Sequence, residues 1–182
     1  MSPFSTANCF INVIPIACAM GYKHTANFVC FLSKMSHTHT NLLTHIVFST
    51  KERLPFIVNE IKPELFAYMG GLVKELKGKP IIINGMSDHI HSLISLPPNV
   101  CVSEAMRFVK ANSSKWVKEK FAKPFGWQKG YGAFSVSRSN VDAVVKYIQN
   151  QEKHHRKFDF KTEFVALLRK NDVEFDEQYL WD

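Results

Sequence analysis

The sequence has few cysteines: of its four, Cys9, Cys18 and Cys30 lie near the beginning and Cys101 stands alone. This spacing offers neither a disulfide framework nor a CxxC metal site. Long apolar runs are also missing, since the apolar stretch at 9–20 is too short to span a bilayer. No basic region precedes that stretch as it would in a signal peptide. We therefore expect a cytoplasmic protein without a membrane partner.

The length of 182 residues suits one folded domain with appendages, because two complete domains would need a longer chain. Residues 1–34 have apolar content without a clear period. We therefore predict a single domain over residues 35–182. The preceding segment, 1–34, is expected to be either a disordered extension or translation from an upstream start codon.

Positive charge is concentrated in one part of the chain. The net charge is +7, yet the segment 102–157 alone holds twelve Lys and Arg against four Asp and Glu. Such a concentration is typical of surfaces that track nucleic-acid phosphates, although a solvated helix face would show the same charge. The candidate nucleic-acid contacts are Lys51, Arg53, Arg107, Lys110, Lys115, Lys118, Lys153 and His154. Phe125 and Trp127 are available to stack on unpaired bases, whereas Trp116 has apolar neighbours that favour a core role.

Hydrophobic periodicity predicts eight elements along the chain. The order is a strand, a helix, two strands, a basic amphipathic helix, a strand and two further helices, over 42–51, 61–78, 79–86, 88–96, 103–122, 130–139, 141–157 and 161–171. The first six elements follow the β-α-β-β-α-β order of an α+β ferredoxin-like fold, in which an antiparallel sheet carries helices on one face. The C-terminal helices, the first of which contains Tyr147, are added to this core.

The strand DHIHSLISL, residues 88–96, places two histidines on one face of the predicted sheet. Side chains alternate along a strand, so His89 and His91 project together while Ile90 points into apolar packing on the other side. An isolated H-x-H pattern is more often structural than functional. The HTHT stretch shows this, since Thr38 between His37 and His39 cannot anchor in a core as Ile90 can.

A tyrosine lies beside the apolar stripe of the predicted helix 141–157. At about 100° per residue, Tyr147, Gln151 and His154 share one flank, away from the core-facing valines. The phenol and the amide oxygen of Tyr147 and Gln151 are therefore able to face one small volume. His154 and His155 diverge by about 100°, so we expect that they do not both bind one metal and that they make polar contacts near a helix end.

These motifs together resemble a known family. DHIHSLISL looks like the histidine-hydrophobe-histidine motif, and YIQNQ after GYGAFSVS looks like the tyrosine region of the small single-tyrosine HUH transposases of bacterial insertion sequences, the transposase A type. The resemblance runs from about residue 35 to residue 182, including the ending FDEQYLWD. It implies Tyr147 as the nucleophile and His89, His91 and Gln151 as metal ligands.

The resemblance further implies a metal-dependent enzyme that cuts and rejoins single-stranded DNA through a 5′-phosphotyrosine link. Because that link retains the energy of the phosphodiester, no ATP is needed, and the sequence has no GxxxxGK[ST] motif. The expected cofactor is Mg²⁺, with Mn²⁺ as an effective substitute and zinc as a rival. The expected partners are hairpin-containing DNA ends and a second copy of the chain, with each site shared between protomers of a homodimer.

Three alternatives remain open from the sequence. The fold also serves non-enzymatic modules that bind single-stranded nucleic acid, which would not need the hydroxyl of Tyr147. A metal-dependent hydrolase would use water and leave Tyr147 as a bystander. A domesticated relative of the transposases would process genomic repeats without moving its own gene.

Overall fold

The computed structural model describes residues 39–181. The segment 1–34, for which the sequence suggests disorder or upstream translation, lies outside the described residues. His37 of the HTHT stretch lies outside them as well. Among the described residues, no helix combines the length and the apolar character needed to cross a membrane.

The described residues form a four-stranded antiparallel sheet. Its strands are β1 (Leu42–Ser49), β2 (Lys79–Gly85), β3 (His89–Leu96) and β4 (Gly132–Ser135), in the spatial order β2-β3-β1-β4. The helices are α1 (Lys62–Glu75), α2 (Val102–Phe121), α3 (Val141–Gln149), α4 (Gln151–His154) and α5 (Phe160–Lys170), with short 3-10 turns at Lys51–Arg53, Arg138–Asn140 and Glu177–Tyr179. The predicted ferredoxin-like arrangement is therefore confirmed.

One face of the sheet is covered by α1 and α2. Alternate residues of the two central strands, among them Ile46, Phe48, Ile90 and Ile94, point to this face and are almost completely buried. Residues at helical spacing on α1 and α2 meet them there, which is the amphipathic pattern that the sequence predicts. This face is a conventional apolar core.

The opposite face is covered by the C-terminal helices. Val47 and His91 are direct partners across β1 and β3, so their side chains lie on the same side of the sheet. Val47 packs against Phe134, Phe160 and Phe164, which brings α5 onto this face. The histidine pair therefore faces the helices that follow β4, and not the helices that form the main core.

The predicted continuous helix over 141–157 is wrong at Asn150. Its side-chain amide donates to the carbonyl of Lys146, and its backbone has φ −95° and ψ 20°, so α3 ends and α4 forms a separate single turn. Asparagine favours such an interruption because its side chain competes for backbone partners. Asn84 of β2 fastens the end of α3 to the sheet by donating to the carbonyl of Ile148, at 2.8 Å.

The helix α5 begins with a side-chain cap. Asp159 accepts a hydrogen bond from the backbone N–H of Thr162 at 2.8 Å, which satisfies one of the free amide groups of the first turn. The apolar residues Phe160, Phe164 and Leu168 then recur at helical spacing and are buried against the sheet. This packing fixes the position of α5 on the sheet, and with it the positions of the remaining side chains on the buried face of the helix.

Replacing Gly132 with alanine tests how tightly α5 sits on the sheet. A Cβ at Gly132 would lie 2.8 Å from the ring of Phe164 and 3.1 Å from that of Phe134, so the buried rings must move. We expect Gly132→Ala to lower the free energy of unfolding by about 1–3 kcal/mol, as overpacking usually does. Urea denaturation measures this change.

The matched control is Gly71→Ala on α1. A Cβ there meets nothing within 4 Å, so the substitution should stabilise the helix by about 0.5–1 kcal/mol. If Gly132→Ala were as stable as the unaltered protein, the close packing of α5 against β4 would be contradicted.

Candidate active site

The histidine pair lies in the middle of the sheet, on the face covered by the C-terminal helices. His89 and His91 are 1% and 0% exposed, and Ile90 between them is buried in the apolar core of the other face. The orientation that the strand alternation predicts is therefore present. Both imidazoles are held in a space closed by α3, α4 and α5.

The imidazole of His89 is oriented by a carboxylate. Its Nδ1 lies 2.7 Å from Oδ1 of Asp88, and Oδ2 of Asp88 accepts from Arg53 at 3.2 Å. Burial alone would raise the pKa of Asp88, but its hydrogen bonds and the charges of His89 and Arg53 hold that pKa below its usual range. Because an ionised carboxylate only accepts, Nδ1 of His89 carries a proton, so the neutral form of the ring has its lone pair on Nε2, facing the site.

The imidazole of His91 is oriented by another histidine. Its Nδ1 lies 3.1 Å from Nε2 of His45, and the two rings are stacked at 5.3 Å. Burial, and then the proximity of His91, lower the pKa of His45 to about 3, so His45 is neutral near pH 7. The sequence analysis did not single out His45. Alternation along β1 assigns His45 to one face of the sheet. It places His45 beside His91 only once the register between β1 and β3 is known.

Tyr147 and Gln151 reach the same small volume as the histidines. The Tyr147 ring lies 5.7 Å from the ring of His91, and its hydroxyl donates to Oε1 of Glu163. Nε2 of Gln151 donates to the same oxygen at 3.2 Å, and Gln151 is 0% exposed. The helical spacing that places the phenol and the amide on one flank survives the break at Asn150.

The sequence analysis missed Glu163, the residue on which the site converges. Oε2 of Glu163 lies 3.0 Å from Nε2 of His155, 3.3 Å from Nε2 of His91 and 3.9 Å from Nε2 of His89. A signal was available, because Glu163 falls one residue before Phe164 and three after Phe160, on the apolar side of α5. An acid at such a position is buried and needs partners.

His154 and His155 make the polar contacts expected of them, and their partner is Glu163. Although they are adjacent, both contact Glu163: His154 Nε2 lies 3.3 Å from Oε1, and His155 Nε2 contacts Oε2. Their rings are nearly perpendicular, at 89°, so they approach opposite oxygens of one carboxylate. His155 also lies 2.9 Å from His89 through their Nε2 atoms and is mostly buried, so it is part of the site. His154, a candidate nucleic-acid contact, faces the site as well.

The buried groups of the site shift one another's pKa values. Burial acts to raise the pKa of Glu163, but the adjacent His91, then the Tyr147 hydroxyl and His155, hold that pKa well below its usual range. Burial, the Glu163 charge and the hydrogen bond to Glu163 raise the pKa of Tyr147 far above its usual value. The site therefore contains an ionised carboxylate beside a neutral phenol.

The donor groups fit a divalent metal ion. One ligand atom from each of His89, His91, His155 and Glu163 can be chosen so that all lie within 4.8 Å of one another. Over residues 39–181, the buried side-chain atoms without a hydrogen-bond partner include His91 Nε2, Glu163 Oε2 and Gln151 Oε1. Such atoms are costly to bury unless a further partner satisfies them. Two of them belong to the predicted ligands His91 and Gln151.

The candidate nucleic-acid contacts divide into two groups. Most of the side chains are exposed, namely Lys51, Arg107, Lys115, Lys118 and Lys153. Two of these pair on the surface, Lys51 with Glu52 and Lys115 with Glu119. Arg53 is instead paired with Asp88. Lys110 donates to the carbonyls of Lys129 and Gly130, and burial lowers its pKa to about 8. Its amine thereby holds the loop before β4.

The aromatic residues considered for base stacking are engaged within the fold. Phe125 is buried in the main core and Trp127 packs edge-on against Phe48, with its indole N–H donating to Ser113 at 2.9 Å. Trp116 stacks on Tyr68 at 4.7 Å, in agreement with the core role expected for it. The stacking role suggested for Phe125 and Trp127 is not supported by these positions.

Comparison with known proteins identifies the family to which this fold and site belong. The family model described as "Transposase IS200 like" matches residues 38–151, which is more than half of the chain and includes His89, His91, Tyr147 and Gln151. The chain belongs to the IS200-like transposase family. This confirms the family resemblance of the sequence motifs, and the enzyme class at the level of a transposase.

Individual relatives agree with this assignment. The chain is 28% identical over 125 residues to the transposase for insertion sequence element IS200 of Salmonella typhimurium, covering 64% of this chain and 81% of that protein. A crystal structure from Deinococcus radiodurans R1 has a TM-score of 0.53 at 20% identity and covers 66% of this chain and 98% of that one. A REP-associated tyrosine transposase bound to a REP hairpin has a TM-score of 0.51 at 13% identity, covering 68% and 74%. The two structures support the fold.

One chain of this IS200-like transposase contains both halves of the site. Tyr147 and Gln151 from α3 and α4 meet the histidine pair of the same chain through Glu163. The site shared between protomers, which the resemblance implies, is therefore not needed to bring these groups together. The homodimer itself stays a prediction.

Substituting Asp88 tests whether the orientation of His89 matters for metal binding. We expect Asp88→Asn to weaken the binding of Mn²⁺ by about 10- to 100-fold, because the partner that fixes the His89 tautomer loses its charge. Titration followed by the electron paramagnetic resonance of free Mn²⁺ measures this. Asp142→Asn, at an exposed position on α3, is the matched control. Unchanged affinity in Asp88→Asn would contradict the role of Asp88.

Proposed function

We propose that the protein cuts and rejoins single-stranded DNA, with Tyr147 as the nucleophile and a divalent metal held by His89, His91 and Gln151. It would thereby carry out the DNA transposition of an insertion sequence. The observation that carries this proposal is the convergence of the Tyr147 hydroxyl and the histidine pair on one carboxylate, Glu163. These groups come from α3, β3 and α5, so the tertiary fold, and not chain proximity, assembles them.

The proposed reaction exchanges one phosphate ester for another. The phenol oxygen of Tyr147 forms a bond to the scissile phosphorus while the bond to the 3′-oxygen breaks, leaving a 5′-phosphotyrosine and a free 3′-hydroxyl. The proton given up by the phenol, which donates a hydrogen bond to Glu163 Oε1, balances the proton that the 3′-oxygen takes up as it leaves. Attack by a 3′-hydroxyl on the phosphotyrosine reverses these steps and joins DNA ends without ATP.

The buried residues around the phenol prepare it for this reaction. His91 and His45 lie edge-on to the Tyr147 ring at 5.7 and 6.1 Å, and they restrict its rotation. A neutral phenol with a raised pKa is a weak nucleophile until charge is drawn toward the phosphorus. A bound divalent metal would supply that charge stabilisation, with Mg²⁺ as the expected ion and Mn²⁺ at least as effective at nitrogen ligands.

Basic residues on α2, on the face of the sheet opposite the site, would hold the DNA strand outside the reaction centre. The exposed residues Arg107, Lys115 and Lys118 on α2 are suited to phosphate contacts, which depend on charge and not on base identity. A structural neighbour is described as bound to a REP hairpin, which supports single-stranded DNA with hairpin ends as the substrate. Together these features favour DNA strands over other anionic partners.

The hydroxyl of Tyr147 is the direct test of this function. Incubation of the full chain with single-stranded element-end DNA and Mn²⁺ should yield a covalent complex in denaturing electrophoresis. Tyr147→Phe should abolish that complex while DNA binding persists, because only the attacking oxygen is removed. Tyr179→Phe, at a residue that is 69% exposed, should leave the complex unchanged.

Other products would point to the alternatives. A covalent complex that persists in Tyr147→Phe would contradict the assignment of the nucleophile. Release of free 5′-phosphate ends would indicate a hydrolase that uses water. DNA binding without any cleavage by the unaltered protein would support a binding module.

Mixed protomers test whether one chain supplies a complete site. Because Tyr147 and His89 converge within one chain, we expect mixtures of Tyr147→Phe and His89→Ala proteins to remain inactive in the covalent-complex assay. Recovery of activity in verified heterodimers would show instead that α3 is exchanged between protomers, as the family resemblance implies.

A further inference from the structure

The starting observation is a buried carboxylate that faces four imidazoles, those of His89, His91, His154 and His155. The side chain of Glu163 is 2% exposed, and its ionic contacts are all to histidines. Among the described residues, no lysine or arginine forms an ion pair with it. An ionised carboxylate away from water is costly unless a positive charge offsets it. A metal ion bound between these groups would be such a positive charge.

The tautomers of His89 and His155 direct further lone pairs toward Glu163. His155 Nδ1 lies 2.9 Å from the carbonyl oxygen of Phe158, which only accepts, so Nδ1 carries the proton. His89 Nδ1 is likewise protonated, by its contact with Asp88. When neutral, both residues therefore turn the lone pair of Nε2 inward. These two nitrogens lie 2.9 Å apart, and the nearby Oε2 of Glu163 adds a third set of lone pairs.

Three electron-rich atoms at such distances repel one another unless a positive charge lies between them. His91 adds a fourth, since its Nε2 is buried, lies 3.3 Å from Glu163 Oε2 and has no hydrogen-bond partner among the described residues. The four donor atoms lie within 4.8 Å of one another. That span is close to the ~4.2 Å between donors on opposite sides of an ion with ~2.1 Å bonds.

We propose that Glu163 and His155 are metal ligands, in addition to His89, His91 and Gln151. This inference rests on the proposed function only in placing a divalent metal at this site. It changes the expected ligand set from three neutral groups to one that includes a carboxylate and a third imidazole. It also makes Glu163 the bridge between the metal and the phenol, because its other oxygen accepts from Tyr147.

The donor set predicts which metal binds. Three imidazole nitrogens with one carboxylate suit first-row transition ions, whereas Mg²⁺ favours oxygen ligands and keeps several waters. The site should therefore bind Mn²⁺ more tightly than Mg²⁺. The carboxylate reduces the net charge of the centre but strengthens its hold on the ion.

The ligands also join distant parts of the chain. His89 and His91 belong to β3, whereas His155 follows α4 and Glu163 lies on α5. A metal bound by all four would connect the C-terminal helices to the sheet. Binding should consequently raise the unfolding temperature, since the unfolded chain cannot present these ligands together.

Counting the nitrogen ligands of bound Mn²⁺ is the decisive experiment. Pulsed electron paramagnetic resonance on the full chain without DNA should detect three imidazole nitrogens. A count of two would overturn the role of His155. Undetectable Mn²⁺ binding would overturn the whole proposal and indicate that a protonated imidazole offsets the charge of Glu163.

Affinity measurements on variants test Glu163 separately. Glu163→Gln and His155→Asn should each weaken Mn²⁺ binding by more than about tenfold. Losing a ligand reduces metal affinity at least as much as losing a residue that only hydrogen-bonds to a ligand. Glu174→Gln and His39→Asn, at exposed positions, are the matched controls. Full affinity in a folded Glu163→Gln protein would overturn the role of Glu163. If Glu163→Gln fails to fold, the unaltered protein with bound Mn²⁺ is measured instead. Its proton couplings show whether water occupies the coordination position assigned to Glu163, which would overturn the role of Glu163.

The outcomes separate this inference from the proposed function. Tyr147→Phe should bind Mn²⁺ like the unaltered protein, because the phenol is not a proposed ligand. Three bound nitrogens without any covalent DNA complex would sustain the metal centre and contradict the nucleophile. If the unaltered protein forms the covalent complex and Glu163→Gln keeps full Mn²⁺ affinity, the nucleophile is sustained. The role of Glu163 as a metal ligand is then contradicted.

Discussion

The buried carboxylate of Glu163 organises the functional face of this protein. It accepts from Tyr147 and Gln151 on one oxygen and lies against the imidazoles of His91 and His155 on the other. A charge placed so far from water is tolerable only when every surrounding group is fixed in position. The C-terminal helices therefore have to be held firmly against the sheet, and the remaining structure can be understood from that need.

Several features outside the site meet this need. Phe160, Phe164 and Leu168 bury one side of α5 against Val47 and Phe134, which sets the height of Glu163 above the sheet. Around the histidines, Asp88 and His45 occupy the Nδ1 atoms and leave the Nε2 atoms free for the site. Outer partners of this kind decide the tautomer of a ligand and hence where its lone pair points.

The two faces of the sheet have different tasks. The face under α1 and α2 is an apolar core that gives the domain its stability, whereas the other face combines a smaller apolar cluster with polar chemistry. This division explains why Lys110 and Trp127 serve the fold even though they belong to a basic, aromatic-containing segment. The basic side chains on α2 are exposed because the opposite side of that helix supplies the packing.

The sequence alone determined the order of the elements, the shared face of His89 and His91, and the flank that unites Tyr147 with Gln151. These properties follow from periods of two and about 3.6 residues, which act over short distances along the chain. It did not reveal Glu163, His45 or the inward role of His155, and it missed the break at Asn150. Those depend on strand register and on how α5 packs. Only the tertiary structure decided them, because the partners that make a buried charge or a histidine tautomer tolerable come from segments far apart in the chain.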